Sequence, residues 1–267
     1  MKLFSERVVL GGASEELRIS PALLEIAGGS IAAVTEGSRS EFQGMEGWED
    51  VQDLGADIVS PSFVNSHTHL CMVGFRGIGG LASLKGNVVE ELYFKIEEQM
   101  SMEDILSFAR IGAVEALLNG VGFCWDHYYA PQCIVKALVE VGLGGAVAAT
   151  LQDVLGPGLG RLEEYWDFTF ALDEDQELRR AGIVAALGPH ATDTVSDALW
   201  GRIREASTHW GLPFHTHIAQ SIYEVQRSHE QHGCNPMTRM QRLGLTSVNA
   251  PRLWVHALYV TDSELDG

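Results

Sequence analysis

The sequence predicts an α/β fold: a parallel sheet of barrel order preceded by a small β unit. Three observations lead there. From residue 58 onward, apolar β-prone runs alternate with helix-like stretches. Those stretches carry recognisable start and stop signals. The first 58 residues show instead short apolar runs broken by glycine and charge. Alternation of this kind argues for βα units around a parallel sheet.

In order along the chain, "ERVVL", "LLEIAGGSIAAVTEG" and "VQDLGADIV" read as short strands of a small antiparallel unit, with "AGGS" as a hairpin turn. Further strands are expected at 58–66, 121–126, 143–150, 182–188, 212–218 and 252–257. Between the first two lies "SMEDILSFARIGAVEALLNG", where Ser101 and Asp104 form a capping box and Gly120 is a stop. "SDALWGRIREASTHWG" repeats the logic from Ser196 to Gly211, and "TRMQRLG" ends at Gly244. The last residues, "VTDSELDG", read as a helix start with Thr261 or Asp262 as cap and acidic residues in the first turn. Six strands are two short of a (β/α)₈ barrel. The sequence is therefore expected to be a fragment, with 1–58 as the small β unit and 59–267 as a barrel lacking strands seven and eight.

Composition narrows the partners. With 36 acidic against 18 basic side chains, a net charge of −18 repels phosphate backbones and anionic membranes, so neither is expected as a partner. A 46% hydrophobic content supports a sizeable core. The four cysteines (Cys71, Cys124, Cys133, Cys234) lack C-x-x-C spacing and read as free thiols of a reducing compartment. No signal-peptide-like run or long apolar window stands out, so a cytoplasmic protein acting on a small molecule is the expectation.

Histidines carry the chemistry. "VNSHTHL" places His67 and His69 two residues apart at a strand end, where alternate side chains aim the same way. Neutral imidazole is the commonest metal ligand, and a converging pair begins a coordination shell. A single H-x-H reads equally well as one packed and one solvated histidine. A second, "PFHTHIAQ", holds His215 and His217. His217 lies nearer the strand's C-terminal end, where barrel sites are built, and is the expected ligand. His215 lies deeper and is expected to fill a barrel layer. His190 in "AALGPHATDT" and His256 in "RLWVHALYVTD" also close strands. His127 carries no spacing signal, and His209, His229 and His232 fall on predicted helices as solvated residues.

These segments resemble the amidohydrolase superfamily. "GADIVSPSFVNSHTHLCMVGFRG" is similar to its metal-binding opening V-x-P-G-F-V-N-x-H-T-H-L, with R-G shortly after. "GPHATDTVSDALW", "HTHIAQSIYEV" and "VHALYVTDSEL" resemble its segments G-P-H-A-x-x-T-V-S, H-x-H-x-A-E-x-x-x-E and H-x-x-x-L-T-D-x-E. The nearest branch is that of cytosine-, guanine- and adenosine-type deaminases and triazine hydrolases. The resemblance implies a distorted (β/α)₈ barrel beside a small β-sandwich, and commonly a homodimer. It implies His67, His69 and His217 as ligands of one divalent metal, zinc or iron. It also implies His256 beside the hydrolytic water or substrate, and His190 as a substrate contact. Such a site activates water for attack on an sp² carbon bearing an amine, an amide nitrogen or a halide, making a hydrolase of C–N bonds in a cyclic amidine or heterocycle.

Three departures from the pattern matter. Ser62 replaces a glycine, a tolerable turn change. The strand-eight aspartate cannot be placed. Gln220 stands where the deaminases carry a glutamate that shuttles protons, and an amide cannot do so. Two alternatives therefore stay open: a non-deaminating hydrolase, for example a dehalogenating one, and a catalytically silent truncated homologue. Substrate choice is assigned to loops 71–100 and 151–172. Their aromatics Phe75, Tyr93, Phe94, Tyr165 and Trp166 either stack on a planar ring or pack on each other.

Overall fold

A computed structural model describes residues 1–12, 15–78 and 86–265. Two compact units divide at Ser62/Phe63, a little beyond the expected boundary at 58/59.

The first unit contains strands β1 (Lys2–Leu10), β2 (Arg18–Ala27), β3 (Ser30–Glu36), β4 (Val51–Asp53) and β5 (Ile58–Val59). β1, β2 and β3 form an antiparallel meander, and the expected hairpin turn carries Gly28 and Gly29 at φ 58° and 78°. β4 and β5 pair parallel to β1, so the sheet is mixed rather than antiparallel. The cause is the connection after β3. Helix α1 (Arg39–Phe42) and a 3₁₀ turn at Trp48–Asp50 carry the chain across to the far edge, and a crossover yields parallel pairing. Phe4, Leu23 and Phe42 bury a small core there, with Trp48 against it.

The single strand expected at 58–66 is two strands in different sheets. β5 belongs to the first unit, and β6 (Phe63–Thr68) opens the second. Pro61 separates them. It has no N–H for a ladder and restrains the residue before it, so a strand buried in a sheet does not run through it.

The second unit is a six-stranded parallel sheet: β6, β7 (Val121–Tyr128), β8 (Gly144–Leu151), β9 (Ile183–Pro189), β10 (Phe214–Ile218) and β11 (Arg252–His256), paired in that order. The helices are α2 (Phe94–Glu97), α3 (Met102–Leu118), α4 (Pro131–Val141), α5 (Leu162–Glu174), α6 (Gln176–Arg180), α7 (Asp197–Trp210), α8 (Ile222–His232), α9 (Pro236–Arg242) and α10 (Asp262–Leu265). β6 and β11 are the edges among the described residues. Even so, the sheet curls until the His67 ring on β6 lies 5.5 Å from the His256 ring on β11. This is barrel curvature, and it gathers strand ends into one mouth.

The helix signals act as expected. Ser101 and Asp104 cap α3 reciprocally, Ser196 caps α7 through Leu199 N–H, and Gly211 ends α7 at φ 71°. Each such cap is worth about 1 kcal/mol. Between helices and sheet, Ile134, Leu138, Leu187, Trp200, Ile203 and Phe214 are completely buried. All four cysteines are free and buried. No described helix is long and apolar enough to cross a membrane.

One glycine sets the packing next to the H-x-H strand. A Cβ on Gly112 of α3 would lie 2.3 Å from the Leu70 carbonyl oxygen, so only glycine lets α3 rest on the chain just after His69. Gly112→Ala is expected to destabilise the fold by about 1–3 kcal/mol through overpacking. Urea unfolding checks this, and an unchanged midpoint would contradict the close approach.

Candidate metal centre

Strand periodicity brings His67, Trp125, His127, His215 and His217 onto inward faces near the C-terminal ends of β6, β7 and β10. One ligand atom from each of His67, His69 and His217 lies within 4.8 Å of the others. The ring centroids are 4.7 Å apart for His67 and His69, 5.1 Å for His67 and His217, and 5.2 Å for His69 and His217.

Hydrogen bonding fixes two of these rings. His69 Nδ1 contacts the His127 carbonyl, and His217 Nδ1 contacts the His190 carbonyl at 2.7 Å. A carbonyl only accepts, so each Nδ1 carries the proton and each Nε2 keeps its lone pair. Those two Nε2 atoms face each other at 3.2 Å. Lone pairs so placed repel unless a cation lies beside both. Tetrahedral zinc with bonds of about 2.0–2.1 Å would space its nitrogen ligands by about 3.3 Å. The donor set therefore fits a divalent metal. His215, completely buried, places Nε2 at 2.8 Å from His67 Nδ1 and so orients the third ring as well as filling its layer. Asp126, also buried, accepts the Leu70 N–H at 2.6 Å and pins the chain directly after His69.

The other site histidines surround these three. His256 stacks over His217 at 5.4 Å and 20°. Its backbone is left-handed at φ 73°, as are Ala257 at 50° and Ala219 at 48°. Non-glycine residues held this way cost of order 1–3 kcal/mol each and cluster at functional sites. His190 is buried, with Nδ1 3.0 Å from Thr194 Oγ1. Gln220 follows β10, and its N–H donates to Glu224 at 2.8 Å. His67, His69, His217, His190, His256 and Gln220 all line one cavity of about 270 Å³. A larger concavity of about 850 Å³ opens beside the edge of β6. It reaches His69 and none of the other site histidines, so the smaller cavity is the candidate site.

Two expectations for other residues resolve differently. Tyr93 and Phe94 line the cavity, and Phe94 packs on His190 at 5.6 Å. Phe75 packs on Tyr93, Tyr165 accepts the Ala130 N–H, and Trp166 packs on Phe170, so these three serve the fold. Residues 79–85 of the first expected specificity loop lie outside the described residues. On α7 and α8, His209 and His229 are exposed and His232 is half-buried.

His127 was not singled out by spacing, yet it stands among the site histidines. It is 1% exposed and stacks on His217 at 4.9 Å and 30°. β7 runs two residues beyond the expected end at 126, to Tyr128. The available signal was the alternation Phe123, Trp125, His127.

Burial sets the protonation of the site. It lowers His67 to about 3, His69 to about 4 and His190 to about 3, from an ordinary 6.5. It also pushes His127, His215 and His217 down. The imidazoles are thus neutral and ready to ligate at pH 7. Burial raises Asp126 and Glu224 to about 7 and Glu97 to about 8. Histidines depressed in the fold give stability that is complete above pH 6.5 and lost as pH falls below it, because the unfolded chain binds the protons first. The raised carboxylates act oppositely, gaining stability as pH falls below their folded values. Eight histidines are pushed down, His232 and His256 included, and they outnumber four carboxylates pushed up, Asp193 included. The thermal midpoint of the metal-free protein is therefore expected to fall between pH 6.5 and 4.5. Calorimetry across that window checks this, and a rising midpoint would contradict the assignment.

Residues 58–265 match the amidohydrolase family, and the chain belongs to it. It is 29% identical over 231 residues to a 5′-deoxyadenosine deaminase of Methanopyrus kandleri, covering 86% of this chain and 52% of that protein. It is also 29% identical over 249 residues to a 5-methylthioadenosine/S-adenosylhomocysteine deaminase of Nitratidesulfovibrio vulgaris, covering 93% and 55%. Among solved structures it shares the fold of a guanine deaminase from C. acetobutylicum with TM-score 0.82 at 16% identity, over 99% of this chain and 64% of that one. An adenosine deaminase from Xanthomonas campestris gives 0.77 at 23% identity, over 99% and 59%. The chain spans about half the length of the curated relatives it matches.

Proposed function

We propose that this chain forms the greater part of a metal-dependent hydrolase that cleaves a C–N bond of a small planar heterocycle. The convergence of neutral His67, His69 and His217 in one cavity with His190, His256 and Gln220 carries this reading. The deaminase relatives support the substrate class, and the structure of the Xanthomonas campestris relative contains zinc. Zinc is accordingly the proposed metal, held by those three histidines. When bound, such an ion lowers the pKa of a coordinated water toward roughly 7.

The chain's own residues do the rest. His215 and the carbonyls of His127 and His190 orient the ligating rings. His256, stacked over His217 at the mouth, holds the attacking water or the charge that develops on the substrate. His190 keeps one ring nitrogen free of Thr194 to hydrogen-bond the heterocycle. Tyr93 and Phe94 offer flat apolar surface to the ring and exclude water. Gln220 can hold the substrate but cannot pass a proton, which favours a leaving group needing little protonation. A second reading follows from that residue alone: hydrolysis of a ring substituent other than an amine.

The test is metal analysis after zinc loading, followed by ammonia release from 5′-deoxyadenosine, 5-methylthioadenosine and guanine. About one zinc per chain is expected. A protein that takes up no zinc would end the hydrolase reading.

A further inference from the structure

Among the described residues, two buried polar side chains of the cavity wall have no hydrogen-bond partner. Thr150 Oγ1 and both ring nitrogens of His127 are buried without a hydrogen bond, and each residue is only 1% exposed. Both residues line the cavity that holds the histidine triad. They come from neighbouring strands, His127 near the end of β7 and Thr150 near the end of β8. Buried polar groups in folded proteins are nearly always paired, because they have given up water. When unpaired ones share the wall of a cavity, a molecule in that cavity supplies the partner. An imidazole shut among other imidazoles is neutral, with one donor and one acceptor, and a hydroxyl offers one of each as well. The complement is a ring edge with a donor beside an acceptor.

We propose that His127 and Thr150 bind the lactam edge, adjacent N–H and C=O, of a planar nitrogen heterocycle, and so select against rings whose corresponding edge has an unprotonated ring nitrogen beside a C–H. This deepens the hydrolase reading and rests on it. Selection of this kind is strong, since a ring lacking the edge leaves the same polar groups unpaired in the complex.

The test uses zinc-loaded protein and two purines with the same 2-amino group, guanine and 2-aminopurine. Guanine has the lactam edge and 2-aminopurine lacks it. Thermal midpoints are measured without ligand, and affinities by calorimetry. Thr150→Val keeps the shape and removes the hydroxyl. Without ligand its midpoint is expected to be unchanged or higher, because no bond inside the fold is lost. Its guanine affinity is expected to fall about tenfold, with 2-aminopurine affinity unchanged. His127→Phe should show the same pattern at unchanged zinc content, because His69 is held by the main-chain carbonyl of residue 127 rather than by its ring. A lowered midpoint for unliganded Thr150→Val would overturn the proposal by revealing a partner within the fold. Equal wild-type affinity for the two purines, or equal losses of both in the variants, would overturn it and leave the hydrolase reading standing. Failure of guanine, 2-aminopurine and 5′-deoxyadenosine all to bind would remove both.

Discussion

Gln220→Glu is expected to raise deamination of an amino-substituted heterocycle by about 10²–10⁴-fold at unchanged zinc content. That corresponds to about 3–5 kcal/mol of barrier. The argument is positional. Residue 220 stands three places after His217, past the left-handed turn at Ala219, and lines the cavity with the triad. Its main chain is held by the Glu224 carboxylate, which also accepts the Ala219 N–H at 3.0 Å, so a substitution of the side chain leaves the turn anchored. A carboxylate there can accept the proton of the attacking water and deliver one to a ring nitrogen or the departing amine. The amide keeps binding capacity and loses transfer. Steady-state ammonia release from 5′-deoxyadenosine and guanine measures it. Should wild type turn over these purines at ordinary enzyme rates while the glutamate variant gains nothing, residue 220 is not the proton-transfer position.

His217→Ala is expected to abolish stable zinc binding, while His215→Phe weakens it about 10–100-fold. His217 supplies the nitrogen that faces His69 Nε2 at 3.2 Å, and removing it leaves two imidazoles and the open side of the cavity. His215 touches the metal position only through His67 Nδ1, so its loss frees a ring to rotate and removes no donor. Competition with a chromophoric chelator ranks the variants. If His215→Phe cost as much as His217→Ala, then His215 would be a ligand itself and not a support for the His67 ring.

Much of this was legible in the sequence because the signals are local. The Ser101–Asp104 box, the Ser196 cap and Gly211 depend on nearest neighbours, and each helix starts and stops as they dictate. The two H-x-H pairs follow from period-two alternation. The misreadings have non-local causes. The strand at 58–66 looked continuous as an apolar run, and only the assembled sheets reveal that Pro61 divides one sheet from another. The N-terminal unit looked antiparallel because a crossover through α1 leaves no mark in the strand pattern.

By itself, then, the sequence determined the order of βα units and the pairs of histidines at strand ends, since both are written in spacing along the chain; residue 220 stood out only through the family resemblance. Only the tertiary structure decided which imidazole nitrogens face one another, because that depends on the carbonyls of His127 and His190, brought in from other strands. It alone placed His127 and Thr150 on the cavity wall without partners. Neither has a distinguishing neighbour in sequence, and barrel curvature, which sums small twists over six strands, is what sets their surroundings.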